Sequence, residues 1–296
     1  MPKINASTSQ LKAKKVLKPL LFIASGVLVA NTLGIAIPKA KAERADFYVE
    51  RGINKANTGD YESAISDYDK AIEINPKSAE AFYNRAYDKA KTGDLKGAIE
   101  DYGKAIKITP TDADAFYNRG NAKSHLKDYL SSLQDYNQAL KINPNYADAY
   151  YRRGNVKSHL KDYQASLEDY NQAIRINPNY INAYYNRAYA KDELKDLQGA
   201  IEDYNKAIEI NPKHINVYYN RGSMKFKLKD YQGAINDYNL AIENNSENKK
   251  AYLNRGISKE KLLDIQGACS DWMKASRLGI KRADEWIKNQ CPRRKE

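Results

Sequence analysis

Residues 147–178 read ADAYYRRGNVKSHLKDYQASLEDYNQAIRINP, and nearly the same string returns every 34 residues from about residue 45 to about residue 282, seven times in register. A period of that length is the signature of a solenoid of helical hairpins, in which each unit buries its apolar face only against its neighbours. In the quoted copy a first amphipathic helix starts at residue 147 and reaches about residue 160, with Ala149, Tyr150, Gly154 and Val156 among its small or apolar positions. Lys161 and Asp162 form the turn, and Asp162 is placed to cap the second helix. That helix reaches about residue 176, with Tyr163, Leu167, Tyr170, Ala173 and Ile174 at helical spacing. Asn177 and Pro178 end it, because proline cannot continue the hydrogen-bond ladder and pushes the residue before it out of the helical region.

Aligning the copies turns these positions into columns. The turn aspartate is Asp60, Asp94, Asp128, Asp162, Asp196, Asp230 and Asp264, and the stop proline is Pro76, Pro110, Pro144, Pro178 and Pro212 before it is lost. Small residues fall where the helices of a hairpin approach: Gly52, Ala86, Gly120, Gly154, Ala188, Gly222 and Gly256 on the first, with Ala64, Ala98, Ser132, Ser166, Ala200, Ala234 and Ala268 on the second. These columns resemble the tetratricopeptide repeat (TPR) family: an aromatic, a small residue four further on, an Ala, an aromatic, an Ala and a closing Pro. The resemblance covers about four fifths of the chain and implies an all-α, right-handed superhelical solenoid of seven helix-turn-helix repeats whose first helices line a concave groove for a protein or peptide.

Two columns depart from that pattern. Arg51, Arg85, Arg119, Arg153, Arg187, Arg221 and Arg255 stand where an apolar residue is usual, and four residues later, where an aromatic is usual, stand Lys55, Lys89, Lys123, Lys157, Lys191, Lys225 and Lys259. Every second helix carries an aspartate: Asp67, Asp101, Asp135, Asp169, Asp203, Asp237 and Asp271. Arg and Lys four apart share one helix face. Each Asp is therefore expected to meet the Arg, with or without the Lys, of its own or the next repeat, in a ladder of partly buried ion pairs that sets register. The alternative is a row of exposed charges with their apolar stems packed down.

The groove implied by the resemblance would be faced by Tyr83, Tyr87, Tyr117, Asn121, Tyr151, Arg152, Asn155, Tyr185, Asn186, Tyr189 and Tyr219. Rigid aromatics beside side-chain amides suit the backbone of an extended peptide. Some of these tyrosines belong to the core between repeats, so about half of them are expected to be accessible. Relatives that clamp a free C-terminal carboxylate use Lys, Arg and Asn in the groove. Here Asn121, Asn186 and Arg152 fit part of that pattern, but Tyr117 and Asn182 stand where lysines are needed, and carboxylate-tail binding is not expected.

The two ends differ from the array. Residues 1–42 hold seven lysines and no acidic residue, and residues 20–37, LLFIASGVLVANTLGIAI, form an apolar run followed by Pro38 and by Ala40 and Ala42 at the spacing of a signal-peptide cleavage site. This segment reads as a cleaved export signal or an uncleaved signal anchor, and in either case the basic start stays in the cytoplasm while the repeats cross. The repeats occupy residues 45–282. Residues 283–296 supply a capping helix and tail, with Ala283, Trp286 and Ile287 on one face and charges on the others. Cys269 and Cys291 are the two cysteines of the chain, and an exported protein permits a disulfide between them; a pair of small buried thiols is the alternative.

The net charge of +12 does not signal nucleic-acid binding. Removing the seven N-terminal lysines from 49 basic residues leaves 42 against 37 acidic ones, with the two signs interleaved along the array. The sequence has no glycine-rich phosphate loop, no nucleophile elbow and no zinc-spaced cysteines. His125 and His159 occupy equal places in adjacent repeats, at a helix spacing of about 8–10 Å that is too wide for a shared metal ion. His214 stands alone and reads as a surface residue. No cofactor and no catalytic residue is expected. The chain reads as a monomeric, non-enzymatic scaffold or assembly factor on the extracytoplasmic side of a bacterial membrane. The other readings are a self-associating scaffold and an accessory subunit of a cell-envelope enzyme.

Overall fold

The computed structural model describes residues 39–214 and 216–291, which contain fifteen α-helices and no strand. The expected leader falls almost wholly on residues 1–38, outside the described residues. Among those described, no helix is long and apolar enough to cross a membrane.

The described residues divide into two compact units that meet in the sequence between Pro144 and Asn145. The first holds three hairpins: α1 (Lys39–Asn57) with α2 (Tyr61–Ile74), α3 (Ala79–Thr92) with α4 (Leu95–Ile108), and α5 (Ala113–His125) with α6 (Tyr129–Ile142). The second holds four: α7 (Ala147–His159) with α8 (Tyr163–Ile176), α9 (Ile181–Glu193) with α10 (Leu197–Ile210), α11 (Val217–Lys227) with α12 (Tyr231–Asn244), and α13 (Lys249–Lys261) with α14 (Ile265–Arg277). It closes with α15 (Arg282–Gln290) packed on α14. Within each unit a hairpin packs on itself and on the hairpin next in sequence, the arrangement of an all-α solenoid.

Local chemistry sets the ends of these helices. Each turn aspartate accepts a hydrogen bond from the backbone N–H three residues on, as Asp162 does from Ala165 at 3.1 Å and Asp264 from Gly267 at 2.8 Å. The residue before that aspartate adopts the left-handed conformation. In the first two hairpins it is Gly59 or Gly93, but afterwards it is Lys127, Lys161, Lys195, Lys229 and Leu263, with φ between 63° and 68°. At the far end of α12 the proline is lost, yet the helix still stops, because the side chain of Asn245 accepts from the N–H of Glu247 at 3.1 Å just as Asn211 accepts from Lys213.

The core of each unit is built on second-helix aromatics, Tyr68, Tyr102 and Tyr136 in the first and Tyr170, Tyr204, Tyr238 and Trp272 in the second, each exposed by 2% or less. Burying a large side chain of this kind contributes about 1.5–3 kcal/mol. The ring explains the small-residue column opposite, since a Cβ added to Gly52 would meet Tyr68 Cε1 at 2.5 Å and one added to Gly256 would meet Trp272 Nε1 at 2.5 Å. At the C-terminal end Ala283 is buried, Trp286 lies 5.4 Å from Trp272 between ring centroids, and the Cys269 and Cys291 sulfurs are bonded, joining α14 to the end of α15.

Candidate functional site

The charged columns form one motif repeated seven times. Each first-helix arginine grips the aspartate of its own hairpin through two parallel hydrogen bonds, as when Arg85 Nε donates to Asp101 Oδ2 at 2.8 Å and Nη2 to Oδ1 at 2.7 Å. The lysine one turn on lies 2.8–3.0 Å from the same Oδ2 in all seven copies. The aspartate side chains are 1–4% exposed, which excludes the row of exposed charges. Arg51 draws the Asp67 carboxyl down to about 2 through its hydrogen bond, against the opposing pull of burial. Burial pushes Asp101 up, but the hydrogen bonds from Arg85 and Lys89 outweigh it and leave its pKa below the ordinary value.

The arginine also links hairpins, by a route the sequence reading did not contain. Its remaining nitrogen, Nη1, donates to the preceding hairpin: Arg85 to Asp69, Arg187 to Asn171, Arg221 to Asn205 and Arg255 to Asn239, at 2.5–2.7 Å. The guanidinium lies over an aromatic ring three residues earlier, Phe82 for Arg85 and Tyr184 for Arg187. One side chain thus fixes its own hairpin, the hairpin before it and its own helix.

A second ladder corrects the groove expected from sequence. Tyr83, Tyr117 and Tyr151 are exposed by 3–6% and Asn155 by 8%, so these four are core and do not offer area to a partner. The three tyrosine rings pack on the second-helix tyrosines of their own hairpins, Tyr83 on Tyr102 at 5.5 Å, Tyr117 on Tyr136 at 6.1 Å and Tyr151 on Tyr170 at 6.2 Å between centroids. The hydroxyls of Tyr83 and Tyr151 meet an asparagine of the next hairpin, with Asn118 donating to Tyr83 at 2.8 Å and Asn186 to Tyr151 at 3.2 Å. Asn220 and Asn254 do the same to Tyr185 and Tyr219. Asn155 accepts from both Tyr170 and Asn186, and Asn121 accepts from Tyr136.

Tyr87, Asn121, Arg152, Tyr185, Asn186, Tyr189 and Tyr219 remain half-buried, with part of each surface available. In the second unit, Tyr189 stands edge-on to Tyr163, and Lys227 is paired with Asp192, two residues that the sequence reading had not singled out. His214 is not the surface residue expected: it lies 5.4 Å from Tyr185 between ring centroids, its Nδ1 is buried without a partner, and burial lowers its pKa. His125 and His159 are exposed at the ends of α5 and α7. Among the described residues no group of three or more His, Cys, Asp and Glu side chains could hold a metal ion.

This register is that of known proteins. A family model described as TPR repeat matches residues 56–89 and 87–124, and models described as tetratricopeptide repeat match residues 113–146, 147–180, 181–214 and 203–236. Among solved structures the chain is similar to a MamA protein, at 27% identity, with 58% of this chain and 93% of that one covered and a TM-score of 0.54. It is also similar to a tetratricopeptide repeat protein from Parabacteroides merdae, at 21% identity over 83% and 98% of the two chains, with a TM-score of 0.61. YrrB, described as a TPR protein with an unusual peptide-binding site, aligns at 23% identity over 62% and 95%, with a TM-score of 0.55. These last two likenesses bear on the fold alone. No curated protein matches the chain. With successive hairpins in one 34-residue register and the matched segments running from residue 56 to residue 236, the chain belongs to the tetratricopeptide repeat family.

Proposed function

We propose that this protein-interaction scaffold holds an extended segment of a protein partner along its first helices, on the extracytoplasmic side of a bacterial membrane and without chemistry of its own. One observation carries the reading. The half-buried Tyr185 and Tyr219 and the amides beside them have their positions fixed by the ladder bonds from Asn220 and Asn254, while part of each surface stays open. A surface of aromatics held in place before a partner arrives loses little side-chain entropy on binding. The disulfide between Cys269 and Cys291 supports an oxidising compartment, and the basic start with its apolar run supports a route to it.

The test is photo-crosslinking in native cells from position 189, which is half-buried, with position 151, which is core, as the control. Capture of one distinct protein from position 189 and nothing from position 151 is the expected result. Capture of nothing but the chain itself replaces the reading with self-association. Protection of the repeats from protease added to spheroplasts overturns the proposed side of the membrane.

A further inference from the structure

The polar ladder fails at one joint of the first unit. Asn118 on α5 finds the hydroxyl of Tyr83 35 residues before it, but Asn84, at the same place on α3, finds Val49 at that distance. Asn84 is 2% exposed, and neither its Oδ1 nor its Nδ2 has a hydrogen-bond partner. Tyr136 donates to Asn121 of its own hairpin, whereas Tyr68 shares its cluster with Ile53 at that place and is offered no acceptor there.

One turn after Asn84, on the same face of α3, lies Asp88, 1% exposed and with Oδ2 unpartnered. Its counterparts in the later hairpins are Ala122, Val156, Ala190, Met224 and Ser258, all buried. Ala190 clusters with Tyr170 and Met224 with Tyr204, each the second-helix tyrosine of the preceding hairpin. In that register Asp88 lies against Tyr68, whose ring senses its charge. A carboxyl therefore occupies a place that the fold fills elsewhere with small or apolar side chains. An ionised carboxylate without a cation is costly in such a place, and a neutral carboxyl much less so.

We propose that Asp88 is a proton-controlled latch between the first hairpin and the second: the neutral carboxyl stays buried and keeps the joint closed, and loss of its proton loosens α1 and α2.

The surroundings offer the charge little relief. From α1, Arg51 and Lys55 are both engaged with Asp67. Tyr68 of α2 and Tyr102 of α4 face the carboxyl as neutral phenols, and Asp112 at the start of α5 carries the same sign. On α3 itself, Glu80 also carries that sign, and exposed Lys91, stacked over Tyr87 at 5.4 Å, opposes the effect of burial. Burial prevails and raises the Asp88 pKa to about 7. Because the folded value lies above the unfolded one of about 3.9, the contribution to stability is complete below the unfolded value. It declines as pH rises and levels off above the folded value.

Hydrogen exchange on the full chain, corrected for the intrinsic pH dependence of exchange, tests the latch. Opening of α1 and α2 is expected to rise on the order of a hundredfold between pH 5 and pH 8, while α9 to α12 do not follow. Asp88→Asn and Asp88→Ala, the latter being the residue at positions 122 and 190, are expected to abolish that rise. The same rise in both variants, or none in the parent, overturns the proposal. Direct titration of the Asp88 carboxyl by ¹³C NMR provides a readout independent of the variants: a midpoint near neutral pH supports the latch, and one in the ordinary carboxylate range overturns it.

Discussion

Arg153 and Asp169 meet through two parallel hydrogen bonds, Nε to Oδ2 at 2.9 Å and Nη2 to Oδ1 at 2.5 Å, and Lys157 approaches the same carboxylate at 2.9 Å. Well-packed apolar residues often match or outperform such a group, but breaking it leaves charges without a partner. Asp169→Asn is expected to cost about 2–3 kcal/mol, below the range for fully buried pairs because Arg153 and Lys157 keep about a fifth of their surface in water and can rehydrate. A repeat array need not unfold in one step, so the loss is read as local opening of α7 and α8 by hydrogen exchange. Unchanged opening in the variant would mean that the pair is not needed to hold the hairpin.

Acid sensitivity follows from the depressed aspartates. Asp67 titrates at about 2 in the folded chain, and Asp101 is lowered in the same direction. A carboxylate whose folded pKa lies below its unfolded value contributes stability that is present above the unfolded value of about 3.9 and is lost as pH falls through the folded one. The first two hairpins are therefore expected to lose stability on acidification from about pH 4 towards pH 2. Asp67→Asn is expected to flatten that loss for α1 and α2, as followed by circular dichroism and hydrogen exchange. This response has the opposite sign to that of Asp88, so the two carboxyls can be told apart by pH alone.

The sequence makes the hairpins and the ion triads legible because the residues that build them recur. Asp162 recurs as a turn aspartate in every copy, and Arg153, Lys157 and Asp169 recur with the same spacing, so helical periodicity puts Arg153 and Lys157 on one face and the repeat offers Asp169, of the same hairpin or its neighbour, as their partner. The partner of the third arginine nitrogen is not legible in that way. Asp69, Asn171, Asn205 and Asn239 look like any polar residues of a solvated face until one hairpin stacks on the next. The tyrosine pairs raise a similar difficulty. Tyr150 and Tyr151 are adjacent on one helix, and the packing of neighbouring hairpins leaves Tyr150 half-buried while taking Tyr151 into the core. A usable signal was present in the asparagines that stand 35 residues after Tyr83, Tyr151, Tyr185 and Tyr219. The signal breaks where Arg152 follows Tyr117 and again at Val49 and Asn84, the joint where the latch is proposed.

The left-handed lysines give a stabilising prediction. Lys195 has φ of 68° where Gly59 and Gly93 serve in the first two hairpins. A side chain in that conformation costs roughly 1–2 kcal/mol, and glycine returns part of the gain through the greater freedom of the unfolded chain. Lys195→Gly is expected to slow opening of α9 and α10 by roughly 0.5–1 kcal/mol, and Lys195→Val to speed it, because a β-branched residue tolerates positive φ least. If Lys195→Gly instead destabilises the hairpin, the lysine side chain contributes more than its backbone conformation costs.

The cap tests how the array ends. Trp272 is fully buried beneath α15, with Ala283 also buried and Trp286 beside it, and the bond from Cys269 to Cys291 closes 22 residues of chain. Cross-linking a loop of that size stabilises by about 3 kcal/mol in the chain-entropy account. The helix has only nine residues, too short to persist without tertiary packing. Replacing both cysteines by serine, or reducing the bond, is expected to release α15 first, raising its hydrogen exchange and the exposure of Trp272 to a fluorescence quencher, while α7 to α10 keep their protection. Loss of protection throughout α7 to α14 would instead mean that the cap is what holds the whole second unit folded. An unchanged Trp272 signal after reduction would mean that ring packing alone seats the helix.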